Sequence, residues 1–370
     1  MKRKIIEFIT NLNDGGAESL VKDYALLLDS TKFDVCILTI RNLTNTSVYK
    51  TLKSNNIKII SIYPKWNLII KIFNKLFGKY YIDYKIKKII CFEKPNVIHA
   101  HLYVLKYLNR VSDSLNGIKL FYTCHSIPSC YFGEKYLEQT NAAKNLIDNY
   151  GMQLIALHDD MKKELDSLFM RNNTVVIKNG VNFDKFDIEC SQRGRLRKQL
   201  NISEEAFVVG HVGRFTYQKN HMFLLDVFKA VKDKEKKSVL LLVGSGDEKR
   251  KIVKRINELG LHDNVIILSH RTDIPELMSI MDVFVFPSII EGFGIVLVEA
   301  QLSKLRCIVS DKVPKATYLS KYIIPVKISD GFEKWSNIIL KKDLFSNFDN
   351  HLDDYNLKNE IKKLEKLYLQ

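Results

Sequence analysis

The chain has 370 residues, 46% of them hydrophobic and 27% charged, and this globular composition excludes a largely disordered protein. Its length exceeds that of one ordinary hydrophobic core and predicts two domains. The formal net charge of +15 favours anionic partners. No apolar run approaches the roughly 18 residues of a membrane-spanning helix, and the first residues enter a strand pattern instead of a signal peptide.

The six cysteines are scattered and form no CxxC pair: Cys36, Cys91, Cys124, Cys130, Cys190 and Cys307. Several fall in predicted strands, so we expect reduced, buried thiols in the cytoplasm and no structural zinc site. The sequence contains no helix-turn-helix, aromatic RNA-recognition strand or zinc finger. Nucleic acid is therefore the weaker explanation of the positive charge, and lysine-rich solvated surface explains part of it.

Short apolar runs alternate with helical patterns along nearly the whole chain, as in parallel strands buried on both faces. The predicted strands cover 5–10, 35–40, 57–62, 97–101, 120–124, 154–157 and 175–178, then 208–212, 239–243, 265–268, 283–286 and 307–310. Strand-helix-strand repetition predicts an α/β protein with two doubly wound, Rossmann-like domains. The polar segment 187–197 is the best linker. We therefore predict domains over 1–188 and 189–350 and a closing amphipathic helix over 351–370.

Gly15 and Gly16 follow the first predicted strand, at the start of a helix. A paired glycine at such a turn exposes backbone N–H groups that suit a phosphate. The GxGxxG dinucleotide fingerprint is absent, and Gly-Gly also occurs in ordinary turns.

Residues 63–90 combine seven lysines with aromatic and aliphatic side chains, and Asp83 is their only acidic residue. A basic, aromatic-rich amphipathic helix favours contact with an anionic membrane surface. The alternative is a helix that packs on the sheet, with its lysine stems lying over the sheet edge.

Three histidines lie at or near the ends of predicted strands. His99, inside an apolar strand, is expected to be a hydrogen-bonded core residue, and the sequence does not decide the role of His101. His125 ends its strand, so we predict that it points into a ligand crevice, where an imidazole can orient or deprotonate a hydroxyl. The three lack a carboxylate at ligand spacing, so a metal site is the weaker interpretation.

The second half begins with a strand, a glycine and a loop that carries Arg214 and Lys219. A guanidinium binds oxygen pairs with two hydrogen bonds and an ammonium is a point charge, a combination suited to a diphosphate. The next strand ends in another glycine-rich turn, at Gly244 and Gly246.

Residues 283–303 give the most informative pattern. An apolar strand ends at a proline, the loop that follows holds Glu291 between apolar residues and two glycines, and the next helix carries Glu299. In open α/β sheets, ligands bind at this carboxyl edge, and glycines allow close backbone approach. The two carboxylates are therefore predicted to flank a bound ligand.

Together these segments resemble the retaining nucleotide-sugar glycosyltransferases of the GT-B architecture, family 4, and in particular their bacterial exopolysaccharide and capsule branch. The most specific segments are VGRFTYQKNH (212–221) and EGFGIVLVE (291–299), supported by GGAE, TCHS, IKNGVNFDKF and HRTDIPELMSIMDVFVFPS. The resemblance covers nearly the whole chain. It implies a retaining, metal-independent hexosyltransferase with two Rossmann-like domains facing a central cleft, and a C-terminal helix that packs back toward the N-terminal domain.

The resemblance also implies residue roles. Arg214 and Lys219 would hold the diphosphate, Glu291 would lie beside the donor sugar, and Glu299 would bind the ribose hydroxyls. His125 would lie near the sugar and the acceptor. The implied catalytic set is Glu291, His125, Arg214 and Lys219, and the implied donor-binding set is Gly15, Gly16, Arg214, Lys219, His270, Arg271, Glu291, Gly292, Phe293, Gly294 and Glu299.

Elementary chemistry agrees with these roles. Breaking a glycosyl-diphosphate bond builds positive charge at the anomeric carbon and negative charge on the departing phosphate. Two cations stabilise the negative charge and one carboxylate stabilises the positive charge, so no metal or other cofactor is expected. A single carboxylate does not establish double displacement, and same-face attack assisted by the leaving phosphate is the hypothesis that the resemblance favours.

The expected function is transfer of a sugar from a nucleotide-sugar donor, with a UDP-sugar favoured, to a lipid-linked or growing saccharide in capsule or exopolysaccharide biosynthesis. We expect a cytoplasmic protein, peripheral on the inner face of the cell membrane if residues 63–90 contact lipid. The alternatives are a GT-B nucleotide-sugar epimerase, which lacks the EGFG-x4-E pattern, a non-catalytic partner subunit of the same fold, and a basic nucleic-acid binder. The chain departs from the family at 303–307, where Gly-x-Pro is common, and this questions local packing more than activity.

Overall fold

A computed structural model describes residues 2–65, 67–186 and 190–370. Two compact units are present: Met1–Asn179 with Lys358–Gln370, and Gly180–Leu357. The sequence placed the divisions at 188/189 and 350/351 instead. Segments on either side of the second unit pair with one another, because Val181 accepts a bond from the Leu357 amide (3.0 Å) and donates to Tyr355 O (2.7 Å). Residues 180–186 and 351–357 therefore belong to the second unit.

The described part of the predicted linker is a helix. Residues 187–189 of that prediction lie outside the described residues, and Cys190–Gln199 form the first helix of the second unit. Arg197 is buried there and donates to the carbonyl oxygens of Ala206 (3.0 Å) and Ile280 (2.8 Å). The Arg197 guanidinium therefore hydrogen-bonds backbone carbonyl oxygens inside a domain. Composition alone could not distinguish such a buried polar residue from one in a solvated linker.

The described residues of the first unit form one parallel sheet in the order β3-β2-β1-β4-β5-β6-β7. The strands are β1 (Arg3–Ile9), β2 (Phe33–Arg41), β3 (Lys58–Tyr63), β4 (Val97–His101), β5 (Lys119–Thr123), β6 (Gln153–Ala156) and β7 (Val175–Val176). The helices are α1 (Gly16–Leu27), α2 (Ser47–Ser54), α3 (Leu68–Glu93), α4 (Leu105–Arg110), α5 (Leu137–Tyr150) and α6 (Asp159–Phe169). The strand order reverses between β1 and β4, where open α/β sheets bind ligands.

The second unit has a parallel sheet in the order β10-β9-β8-β11-β12-β13 among its described residues. The helices are α7 (Cys190–Gln199), α8 (His221–Lys234), α9 (Lys249–Glu258), α10 (Ile274–Ser279), α11 (Ile295–Leu302) and α12 (Gly331–Leu340). The last helix, α13 (Leu357–Leu369), belongs to the first unit from Lys358 onward. The strands are β8 (Phe207–Val212), β9 (Ser238–Val243), β10 (Val265–Leu268), β11 (Val283–Phe286), β12 (Arg306–Ser310) and β13 (Ile323–Val326).

The fold-class prediction is confirmed: both units are doubly wound α/β sheets. Each predicted strand is present, with exact ends in β4, β10 and β11 and with ends shifted by at most two residues in the others. Strand β13 was missed because Pro325 interrupts its short apolar run, and proline is tolerated there since β13 is an edge strand. The described cysteines include buried Cys36, Cys124 and Cys307, as expected, but Cys91 is exposed.

A buried polar network ties α13 to the first sheet. Glu7 of β1, His99 and His101 of β4, and Tyr368 of α13 are fully buried. The Tyr368 hydroxyl donates to Glu7 Oε1 (2.9 Å) and lies 2.6 Å from His99 Nδ1, while His101 Nε2 lies 2.7 Å from Glu7 Oε2. Thr123 Oγ1 is 2.7 Å from the other ring nitrogen of His99. His99 is therefore the hydrogen-bonded core residue that the sequence predicted.

Burial of Glu7 makes stability depend on pH. Desolvation raises the pKa of Glu7 from 4.5 to about 8, and the hydrogen bond from Tyr368 opposes this rise. The folded chain keeps a proton that the unfolded chain loses, so this group's stabilising contribution is complete below pH 4.5 and is lost as pH rises to about 8.

We predict that Glu7→Gln removes this decline, because glutamine keeps the hydrogen bonds but does not ionise. The free energy of unfolding, measured by urea denaturation, should fall more for the wild type than for the variant between pH 4.5 and about 8. The histidines are present in both proteins, so their titration cancels in the comparison. Parallel pH profiles would contradict the assignment.

Candidate active site

The carboxyl edge of the second sheet brings two charged loops together. Strands β8 and β11 are hydrogen-bonded neighbours, and the strand order reverses between them. The loop after β8 carries Lys219 and the loop after β11 carries Glu291. The Ile289 amide donates to Gln218 O (2.9 Å), so backbone also joins the two loops. This is the position at which open α/β sheets bind ligands.

Lys219 and Glu291 form an ion pair at this edge, and each side chain is only 16% exposed. Lys219 Nζ also lies 4.3 Å from the ring centroid of Phe286, the last residue of β11, where an aromatic face attracts a cation. Sequence reasoning missed Phe286, since its place in an apolar strand gave no sign of this contact. The three side chains present a positioned cation and carboxylate to one edge of the sheet.

Arg214 supplies a second cation on the loop after β8. Its side chain is exposed, and within the ranges the structure describes it has no ion-pair partner. Since a guanidinium forks onto paired oxygens, Arg214 is available to a phosphate group.

The glycine turn after β9 supports the loop that carries Arg214. A Cβ on Gly244 would collide with Gly213 O, and one on Gly246 would collide with Phe215 O. The Phe215 amide donates to Ser245 O (2.9 Å), which fastens the two loops to each other. The glycines of this turn thus permit loop-to-loop contact.

The glycines beside Glu291 also shape its loop. Gly294 has φ +80° and is the N-cap of α11, and a Cβ there would lie 3.1 Å from Glu291 Cγ. Phe293 is buried and stacks on Tyr355, with ring centroids 5.2 Å apart. Its side chain therefore anchors the loop, while Glu299 lies part-buried on α11.

The segment after β10 places His270 and Arg271 at the same edge of the sheet. His270 is exposed, with φ +57°. Arg271 donates two hydrogen bonds to Asp273, and these bonds raise the pKa of Arg271 and lower that of Asp273. The guanidinium is thus engaged locally, which leaves backbone groups as the natural contacts of this segment.

In the first unit, Gly15 is the N-cap of α1 and Gly16 its first residue. A side chain on Gly16 would meet nothing within 4 Å, whereas one on Gly15 would collide with the Glu18 carboxylate. This turn follows β1, and His125 follows β5, at the same carboxyl edge.

His125 is hydrogen-bonded to the buried polar network of the first unit and lies nearer the surface of that unit. Its Nε2 lies 2.9 Å from His101 Nδ1, and the ring is partly exposed. Desolvation, and then the neighbouring His101, hold the pKa of His125 well below its usual range, and desolvation lowers the pKa of His101 to about 3. Both imidazoles are therefore neutral near pH 7. His101, left undecided from sequence, links Glu7 to His125.

Glu7, His99 and His101 offer metal-ligand atoms that all lie within 4.8 Å of one another. Sequence spacing missed this carboxylate because Glu7 is 94 residues from His101. The available signal was an acidic residue inside the apolar strand β1. In the structure Glu7 is hydrogen-bonded directly to His101 and, through the Tyr368 hydroxyl, to His99, so the arrangement forms a hydrogen-bond network.

Comparison with known proteins agrees with the predicted fold and with a glycosyltransferase function. Residues 192–322 match the family model "Glycosyl transferases group 1". The chain is 27% identical, over 60% of each protein, to the UDP-Gal:alpha-D-GlcNAc-diphosphoundecaprenol alpha-1,3-galactosyltransferase of Escherichia coli. It is 23% identical to the capsular polysaccharide biosynthesis glycosyltransferase CapH of Staphylococcus aureus, over 99% of this chain and 98% of that protein.

The fold is similar to that of Anabaena Alr3699/HepE, solved in complex with UDP and glucose. The TM-score is 0.78 at 20% identity, and the match covers 99% of both chains. The matched segment of the second unit is thus similar to the group 1 glycosyltransferases, the named relatives are glycosyltransferases, and the two Rossmann-like units have the GT-B fold.

Proposed function

We propose that the chain transfers a sugar from a UDP-sugar to a lipid-linked or growing saccharide, with retention of anomeric configuration, in capsule or exopolysaccharide biosynthesis. The observation that carries the proposal is the Lys219–Glu291 pair at the reversal point of the second sheet. A cation and a carboxylate held side by side suit the two opposite charges that develop during glycosyl transfer.

The cations act on the leaving group. Arg214 and Lys219 bind the diphosphate and stabilise the negative charge that grows as the glycosidic bond breaks. A diphosphate carries more negative charge than one carboxylate, so it competes with Glu291 for the Lys219 ammonium. This contribution is the one a metal ion makes in other transferases, and the proposed mechanism needs no metal or other cofactor.

Glu291 acts on the sugar side. Once a diphosphate engages Lys219, the carboxylate is free to accept hydrogen bonds from sugar hydroxyls and to stabilise positive charge near the anomeric carbon. The acceptor hydroxyl attacks from the face that the diphosphate leaves, which preserves configuration. The backbone amides of 292–294 and the Glu299 carboxylate hold the rest of the donor, and Gly15, Gly16 and His125 serve the sugar and acceptor.

The relatives support this donor and acceptor class. The Escherichia coli relative is named for a UDP-galactose donor and a diphosphoundecaprenol-linked acceptor, and CapH is named for capsular polysaccharide biosynthesis. HepE was solved with UDP and glucose. The names of the Escherichia coli relative and of CapH are those of glycosyltransferases, which favours transfer over epimerisation.

We predict that Lys219→Ala and Glu291→Ala each lower the transfer rate by about 10²–10³-fold, because each removes a charge that acts in the transition state. Lys219→Ala should also weaken UDP binding, since the ammonium holds the diphosphate. Glu291→Ala should leave UDP binding intact or tighten it, because it removes a competitor for Lys219. Radiolabelled sugar transfer and UDP titration calorimetry measure the two effects.

Lys254→Ala is the matched control, since its side chain is 80% exposed on α9 of the same unit. It should transfer sugar at the wild-type rate. Near-normal turnover in the folded Lys219 and Glu291 variants would refute the site.

We further propose that α3 rests on an anionic bilayer surface. Its side chains divide between two environments: Ile82, Ile86 and Ile90 are buried, so the sheet-packing interpretation holds for that face. Another face carries large apolar side chains that are 56–76% exposed: Ile72, Leu76, Phe77, Tyr80 and Tyr84.

Charge favours lipid as the occupant of this exposed face. Lys71, Lys75 and Lys79 are exposed beside the apolar stripe, as in interfacial helices drawn to anionic headgroups. Asp83, the acidic residue between them and the buried end, binds Arg110 through both carboxylate oxygens, so its charge is compensated. No helix in the described ranges is long and apolar enough to span a bilayer.

We predict that replacing Lys71, Lys75 and Lys79 by Glu releases the protein from vesicles containing anionic lipid, because attraction becomes repulsion. Vesicle flotation measures the bound fraction. Replacing Lys236, Lys251 and Lys254 by Glu makes the same change of net charge on exposed sites of the second unit and should leave binding largely unchanged. Equal release by both triple variants would mean that net charge alone binds the vesicles and would overturn the assignment to α3.

A further inference from the structure

The hydrogen-bonded series of side chains from Glu7 through His101 to His125 contains two neutral imidazoles. Glu7 Oε2 lies 2.7 Å from His101 Nε2, and His101 Nδ1 lies 2.9 Å from His125 Nε2. A neutral imidazole has one N–H and one lone pair, so a hydrogen bond at one nitrogen fixes the role of the other. The direction of every bond in this chain is therefore set at its buried end, by Glu7.

Two proton arrangements satisfy the chain. When Glu7 is ionised, it accepts from His101 Nε2–H, His101 Nδ1 accepts from His125 Nε2–H, and His125 Nδ1 holds a lone pair. When Glu7 is protonated on Oε2, each bond reverses, and His125 Nδ1 holds a proton. Among the described residues His125 Nδ1 has no hydrogen-bond partner, so it is the atom open to a substrate hydroxyl.

The proton of neutral Glu7 belongs on the oxygen that faces His101. The alternative is Oε1, where it would have to be donated to the Tyr368 hydroxyl. An imidazole lone pair is a much stronger proton acceptor than a phenol oxygen, so Oε2 is favoured. Tyr368 then donates to Oε1 in both states and accepts from His99 Nδ1–H.

We propose that Glu7 is a positioning residue that takes up, through His101 and His125, the proton released by the acceptor hydroxyl. The hydroxyl proton moves to His125 Nδ1, the Nε2 proton of His125 moves to His101 Nδ1, and the Nε2 proton of His101 moves to Glu7 Oε2. Three O–H or N–H bonds break and three form. The negative charge passes from Glu7 to the acceptor oxygen, which uses it to bond the anomeric carbon, and no buried imidazolium is formed.

The surroundings of Glu7 suit this task. The titratable groups that face it are His99 and His101 of β4, Tyr24 of α1 and Tyr368 of α13. None of these is charged near neutral pH, since burial lowers the pKa of both histidines and raises that of both tyrosines. A carboxyl group whose pKa is about 8 both releases and accepts a proton near that pH, as a general base requires.

The test is the position of the protons on His125, read from the two ring-nitrogen chemical shifts of protein labelled with ¹⁵N-histidine. His125→Asn assigns the signals. In the wild type, His125 Nδ1 should change from protonated to unprotonated as pH rises, with a midpoint of about 8. In Glu7→Gln the amide N–H donates to His101, so His125 Nδ1 should stay protonated at every pH. Tyr368→Phe should keep the change and move its midpoint upward, because the tyrosine hydrogen bond lowers the pKa of Glu7.

The same protonated nitrogen in wild-type His125 at both ends of the titration would overturn the inference, and so would an unaltered change in Glu7→Gln. These readouts need no substrate, so they are independent of the proposed function. The consequence for catalysis does rest on that function: Glu7→Gln should lower the transfer rate by about 10²–10⁴-fold with UDP affinity unchanged. If the nitrogen shifts change as expected but Glu7→Gln transfers sugar at the wild-type rate, the hydrogen-bonded residues determine only the tautomer of His125. The proton-uptake role of Glu7 would then be wrong.

Discussion

The ion pair between Lys219 and Glu291 is the interaction on which the proposed chemistry of this protein depends. It spans the two adjacent strands at which the order of the second sheet reverses, so its position follows directly from the topology. Most surface ion pairs contribute little, but these side chains are largely shielded from water, and a ring of β11 lies against the lysine. The pair keeps a cation and an anion side by side, and a charged, polarised donor can engage each of them separately.

The first unit handles charge differently. Its polar centre is a buried carboxyl group surrounded by neutral histidines and tyrosines, and helix α13 contributes Tyr368 to it. Burial, and not a neighbouring charge, raises the pKa of Glu7 to about 8, so the carboxyl group can exchange a proton near neutral pH. The C-terminal helix therefore does more than cover apolar surface, since one of its side chains holds the carboxyl group in place.

Sequence patterns predicted most of the fold because buried parallel strands are continuous apolar runs, and β4, β10 and β11 were located to the residue. They failed where polarity had an internal explanation, as at Arg197, or where a proline lies in an edge strand, as in β13. In the candidate site, Arg214, Lys219 and Glu291 follow their strands in the chain and were found from local motifs. Glu7 and Phe286 were not, because their roles depend on which strands become neighbours, and no local spacing encodes that.

The most direct measurement of the central claim is a crystal structure of the protein with a UDP-sugar. We expect diphosphate oxygens within hydrogen-bond distance of Lys219 and Arg214, a sugar hydroxyl donating to Glu291, and separation of the Lys219–Glu291 pair. A diphosphate bound away from the carboxyl ends of β8 and β11, with that ion pair intact, would contradict it.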